Sequence, residues 1–104
     1  SLRLLAEINI LELISMKDFA KNEKAMARIR ARIIGSQGNA WKMIESLSNV
    51  FISVHGKTIG IIGKLDDASI AKRAVEKLLK GAPHGNVYKY IETEKKKILL
   101  QKDL

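Results

Sequence analysis

The chain has 104 residues, 46% of them hydrophobic and 29% charged, with one proline, seven glycines, no cysteine and a formal net charge of +8. This length suits one compact core and excludes two, and the hydrophobic content excludes a chain too polar to collapse. The absence of cysteine excludes disulfides, thiolate metal sites and a cysteine nucleophile, and it suits a reducing, cytoplasmic location.

In chain order, the first segment carries two periodicities. Leu4, Ile8 and Leu11 fit a helical stripe, whereas Ile8, Ile10, Ile14 and Met16 fit a strand in which Glu12 is out of place. The expectation is a short helix to about Glu7 followed by a strand. Residues 2–16 are the most apolar stretch, but Arg3, Glu7, Asn9 and Glu12 break it, so neither a membrane span nor a secretory signal is expected.

From Asn22, the residues Ala25, Ile29 and Ile33 recur every four positions with Met26 beside them, which predicts an amphipathic helix with Arg28 and Arg32 together on another face. The run Gly35-Ser36-Gln37-Gly38 interrupts it. Asn39 is suited to cap a second helix with Ala40, Ile44 and Leu47 on its inner face. Charge concentrates here: residues 17–42 hold seven basic side chains against Asp18 and Glu23, which is +5 of the +8. Such a field favours a phosphate-bearing partner, although a solvated helix face in a basic protein accounts for it equally well.

Val50, Ile52 and Val54 alternate with Phe51, Ser53 and His55, and Gly56-Lys57 turns the chain into residues 58–62, which reads as a hairpin. Asp66 is placed to cap a helix in which Ile70, Ala71, Ala74, Val75, Leu78 and Leu79 form a wide apolar stripe, ended by Gly81 and Pro83. Val87, Ile91, Ile98 and Leu99 suggest a last helix, supported by Glu92 and Lys96 four apart. The order strand, helix, glycine turn, helix, strand, strand, helix is most simply satisfied by an α+β fold in which helices cover one face of a three-stranded antiparallel sheet.

The segment with most chemical content is Arg30-Ala31-Arg32-Ile33-Ile34-Gly35-Ser36-Gln37-Gly38. Glycines at both ends of a loop let backbone approach a sugar-phosphate chain without a Cβ in the way. The helix that follows presents unsatisfied N–H groups and partial positive charge to phosphate. Two glycines three apart mean little alone; the Ile-Ile-Gly flank and the element order give them weight.

Residues 28–62 resemble a type I KH domain, in which a GxxG loop clamps the backbone of about four nucleotides. The stretches RIRARIIGSQG, ISVHGKTIGIIG and IAKRAVEKLLKGAPHGNVYKYIE together resemble the second KH domain of the archaeal partner-of-Nob RNA-processing proteins, from about Leu4 to Glu92. The resemblance implies a type I KH fold (β-α-α-β-β-α) with a C-terminal helical extension. It divides the chain into residues 1–7 leading in from a preceding KH-like domain, a KH domain over 8–83 and an extension over 84–104. It implies a noncatalytic single-stranded RNA-binding domain for small-subunit ribosomal RNA near its 3′ end. The implied partners are the Nob endonuclease and a translation initiation factor, with no cofactor, metal or membrane. By motif position Gly35, Ser36, Gln37 and Gly38 form the backbone clamp, Ile33 and Ile34 support the groove floor or core, and Arg28, Arg30 and Arg32 supply attraction. Asn39, Trp41 and Lys42 complete the expected site. KH loops usually carry a basic residue between the glycines, and here Ser36 and Gln37 stand there, so more of the RNA contact is expected from the arginines and from Lys42. The competing reading is a KH-fold protein-interaction module that docks an endonuclease or a translation factor.

Of the remaining candidates, Trp41 is suited to stack on a base or to pack on the sheet, with packing preferred. His55 and His84 have no carboxylate or second histidine at metal-pair spacing and are expected to be structural or exposed. Asp66 and Asp67 are expected at a helix start and not as a catalytic pair, Tyr88 and Tyr90 to dock on the domain, and Lys95, Lys96 and Lys97 to be solvated.

Overall fold

A computed structural model of the chain describes residues 8–34 and 40–102. Strand β1 (Asn9–Ser15) runs into a 3-10 turn (Met16–Phe19), helix α1 (Glu23–Ile34), helix α2 (Ala40–Ser48), strands β2 (Phe51–His55) and β3 (Thr58–Lys64), and helices α3 (Leu65–Leu79) and α4 (His84–Lys102). The helix expected up to Glu7 lies outside the described residues. The three strands form one antiparallel sheet in the order β1-β3-β2.

Each element follows from a local signal. In β1 the period of two sends Ile14 into the core with Ile10 and Glu12 half-buried on the same side, and it leaves Leu11 and Leu13 outside. Glu12 therefore faces the helices, where its carboxylate meets Lys72 Nζ of α3 at 3.3 Å. The side chain that broke the apolar pattern is neutralised by a partner sixty residues away. At the start of α1, the backbone N–H of Ala25 donates to Asn22 Oδ1 at 2.8 Å, an N-cap that satisfies one orphan donor of the first turn. The four-residue period then buries Ile29 and Ile33.

Helix α2 buries Ala40 and Ile44 and ends at Asn49, whose φ of 62° reverses the chain in the left-handed region that asparagine tolerates. Gly56, at φ 57°, makes the tight turn between β2 and β3. On β3, a Cβ added to Gly63 would lie 2.7 Å from Val50 Cγ1, so the chain entering β2 packs against bare backbone there.

Helix α3 starts at Leu65, directly after β3, with Lys64 as an extended N-cap that makes no side-chain bond. The expected cap at Asp66 is thus corrected: Asp66 and Asp67 both lie inside the first turn, where negative charge complements the partial positive charge of the helix start. Asp67 is also nearly buried and accepts from Lys95 Nζ at 2.7 Å.

The four helices of the described residues lie on the inner face of the sheet, around a core built from Ile14, Met16, Ile33, Ile44, Ile59, Ile61, Val75 and Leu78. Helix α4 contributes Val87 and Ile91, both fully buried, and packs on α2 and α3. Among the described residues no helix covers the outer face. Cross-strand register places Leu11, Ile62 and Phe51 in one row, with Leu13 beside it, and Phe51 is 77% exposed. Among the described residues no helix is long and apolar enough to cross a membrane.

Candidate nucleic-acid interface

The expected clamp residues Gly35, Ser36, Gln37 and Gly38, and the expected cap Asn39, lie outside the described residues. The helices on either side of them are described. α1 ends at Ile34 and α2 begins at Ala40, so the two helices of the anticipated helix–GxxG–helix unit are present at the expected positions.

The flanking side chains separate into different roles. Ile33 is 2% exposed and belongs to the core, whereas Ile34 is exposed at the end of α1. Arg28 is exposed and Arg30 half-buried. Arg32 is committed to the fold: its Nε donates to Leu78 O at 3.1 Å, and its Nη2 donates to Ala82 O. These carbonyls lie at the C-terminal end of α3 and just beyond it, where helix carbonyls lack intrahelical donors and partial negative charge accumulates. The backbone carbonyl of Arg32 lies 3.3 Å from His84 Nε2, and the His84 ring meets Tyr88 edge-on at 6.3 Å. Arg32 therefore ties the last turn of α1 to the junction between α3 and α4, a role its local spacing with Arg28 did not reveal.

On α2, Trp41 is half-buried and packs on the core, and Lys42 is exposed. Met43, 47% exposed, is an apolar surface side chain close to the loop that sequence reasoning missed, since it falls off the inner face of Ala40, Ile44 and Leu47.

The free edge of β2 was not foreseen either. Among the described residues β2 pairs with β3 alone, and the backbone N–H of Ile52 turns outward to donate to Glu45 Oε2 of α2 at 2.6 Å. Antiparallel alternation directs the N–H and C=O of Val54 to the same edge. Strand edges of this kind offer backbone donors and acceptors to whatever lies alongside, and here α2 stands next to the edge. The only prior hint was alternation of residues 50–55, which identifies a strand but not its place in the sheet.

Tyr88 and Tyr90 are half-buried against the core, with Lys77 Nζ 4.8 Å from the Tyr90 ring centroid. Among the described residues there is no group of three histidine, cysteine, aspartate or glutamate side chains placed to hold a metal.

The family model for the second KH domain of Pno1, a eukaryotic type KH-domain (KH-domain type I), matches residues 10–96. A KH domain-containing protein of Methanocaldococcus jannaschii is 40% identical over 98 residues, which are 94% of this chain and 43% of that protein. The pre-rRNA-processing protein Pno1 of Aspergillus fumigatus is 33% identical over 67 residues, 64% of this chain and 27% of that protein. Among solved structures, one from the a/eIF2alpha–aDim2p–rRNA complex of Pyrococcus horikoshii superposes with a TM-score of 0.77 at 46% identity, covering 92% of this chain and 52% of that one. The chain thus spans about half the length of these relatives, or less.

Proposed function

Because the chain belongs to the Pno1 second-domain family of type I KH domains, we propose that it is a noncatalytic module that holds a single-stranded segment of small-subunit ribosomal RNA, near its 3′ end, in a ribosome-assembly complex. Gly35 and Gly38 let the RNA backbone approach closely, with Ser36 and Gln37 contributing main-chain N–H groups. Arg28, Arg30 and Lys42 supply attraction from the two flanking helices. Ile34 and Met43 give apolar surface for bases, and Asn39, next to the glycine pair in the sequence, completes the contact set. The Nob endonuclease and a translation initiation factor are the protein partners that fit this placement. The KH domain proper covers residues 8–83, residues 84–104 extend it, and the cytoplasm is its site of action. One observation supports the reading: α1 ends at Ile34 and α2 begins at Ala40, on either side of residues 35–39 in the chain, with α2 beside the edge strand β2.

The competing reading, a protein-docking module, draws on the uncharged loop and on the outer sheet face, where Leu11, Leu13, Phe51 and Ile62 are exposed. One pair of variants separates the two. Ser36→Asp/Gln37→Asp puts two negative charges beside the phosphate path and should lower affinity for single-stranded RNA while changing stability by less than about 1 kcal/mol. Ser36→Lys/Gln37→Lys should raise affinity, with the gain shrinking at high salt. Titration against single-stranded and duplex RNA reads both. Unchanged affinity in both variants, with RNA still bound, would remove the loop from the site.

A further inference from the structure

The run Gly81-Ala82-Pro83-His84 joins α3 to α4 and has no part in the RNA contact proposed above, yet it meets the last turn of α1. Its own geometry is locally fixed. Gly81 adopts a φ of 103°, which a residue with a Cβ rarely takes. The N–H groups of Gly81 and Ala82 donate back to Leu78 O at 3.1 Å and Lys77 O at 3.0 Å, and the Pro83 carbonyl accepts from the N–H of Val87 at 3.1 Å as α4 begins. Val87 and Ile91 then fasten α4 in the core. Against this junction α1 makes a reciprocal contact: the Arg32 guanidinium donates to the carbonyls of Leu78 and Ala82, and the Arg32 carbonyl accepts from His84 Nε2 at 3.3 Å. A carbonyl oxygen only accepts, so Nε2 carries the proton in this pairing. The His84 ring is half-buried and lies edge-on to Tyr88.

We infer that His84 is a positioning residue for the RNA clamp: by capping the Arg32 carbonyl from α4, it fixes where and in what direction the chain leaves α1 for Gly35; the inference rests on the RNA-binding reading above. Helix α1 ends at Ile34, so the Arg32 carbonyl is one of its last four, which lack donors within the helix. Left to water, such a terminus frays; tied to His84, it is held against a junction that is itself anchored by buried side chains. The far side of the loop is held differently, by Ala40 and Ile44 of α2, which are buried from its first turn onward. A clamp built from main-chain N–H groups serves RNA only while those groups keep their directions. If one helix end is loose, part of the binding free energy goes into ordering it, and the apparent affinity falls with the fraction of molecules in the competent arrangement. His84 thereby makes the clamp depend on α4 without itself touching RNA.

The test compares the 104-residue chain with His84→Phe, His84→Gln and Lys95→Met, by titration with a single-stranded octamer from the 3′ end of small-subunit ribosomal RNA and by amide hydrogen exchange of the free protein. His84→Phe keeps a ring against Tyr88 and removes the donor, whereas His84→Gln keeps an N–H at similar reach. Lys95→Met unpairs Asp67 and lowers stability without touching the end of α1. His84→Phe should bind the octamer about five- to tenfold more weakly, with His84→Gln and Lys95→Met within about twofold of the unaltered chain. In the free protein the N–H groups of Ile33 and Ile34 should exchange faster in His84→Phe than in His84→Gln, with those of Ile59 and Ile61 unchanged between the two. Weaker binding by His84→Phe with unaltered exchange at Ile33 and Ile34 would make His84 an RNA contact and overturn the positioning role. Faster exchange there at full affinity overturns it too, as does a loss in Lys95→Met equal to that in His84→Phe. Should His84→Phe not fold, His84→Ala, which removes the donor without adding bulk, is held to the same outcomes. Failure of the unaltered chain to bind the octamer overturns the RNA-binding reading, and the positioning role with it.

Discussion

Arg28 and Arg32 look interchangeable in the sequence, since both are arginines of one helix a single turn apart. The fold separates them. Arg28 is exposed, whereas Arg32 spends two donors on the carbonyls of Leu78 and Ala82. Charge-assisted bonds of this kind contribute more than neutral ones, and although Leu78 O keeps the backbone N–H of Gly81 at 3.1 Å, the Ala82 carbonyl would be left without its donor. Arg32→Ala should therefore destabilise the chain by about 1–3 kcal/mol in urea denaturation, while Arg28→Ala should change stability by less than about 0.5 kcal/mol and lower RNA affinity. A spacing rule reports which residues share a helix face; it does not report which carbonyls, some fifty residues later, come to rest beside that face.

At the scale of the element, helix α4 shows what periodicity reveals and what it conceals. The apolar positions Val87 and Ile91 predicted the helix, and both are fully buried in it. The three consecutive lysines in the same helix read as a solvated run, yet they differ. Lys95 Nζ turns inward to Asp67 at 2.7 Å and lies 3.5 Å from Ser48 O, linking α4 to α3 and α2, while Lys97 pairs on the surface with Glu94 at 3.2 Å. The same blindness applied to Asp67, read as a helix-start residue because nothing local announces a partner twenty-eight residues on. The strands, the helix periods and the turn glycines were legible because each is set by contacts within a few residues. The polar ties among helices, the open edge of β2 and the cover on Glu12 were not, because each depends on which elements become neighbours. Lys95→Met keeps much of the side-chain volume but leaves the largely buried Asp67 carboxylate unpaired, and should cost about 1–3 kcal/mol; Asp67→Asn/Lys95→Met should recover part of that loss in a double-mutant cycle. The corresponding change Lys97→Met, on a pair largely open to solvent, should be neutral within about 0.5 kcal/mol.

At the scale of the whole molecule, the question is where the cooperative unit ends. A boundary at residue 83, with α4 as an appendage, treats the last helix as dispensable. The packing argues otherwise, because Val87 and Ile91 are fully buried and Tyr88, Tyr90 and Ile98 pack against the same core. Full burial of two aliphatic side chains contributes about 1.5–3 kcal/mol each. With the Lys95–Asp67 pair added, α4 supplies a large fraction of the 5–15 kcal/mol typical of an entire domain. Removing it would also expose the inner surfaces of α2 and α3 and take away His84, whose Nε2 lies 3.3 Å from the Arg32 carbonyl. A chain ending after residue 83 should therefore lose cooperative thermal unfolding and bind a hydrophobic dye. A chain ending after Lys97, near the end of the family match at residue 96, should keep a single sharp transition, since it retains Val87, Ile91 and Lys95 and gives up only the half-buried Ile98 with the exposed Leu99 and Leu100. Circular dichroism melts of the two truncations, compared with the full chain, decide it: a sharp transition in the shorter one would make α4 an accessory to a core complete without it.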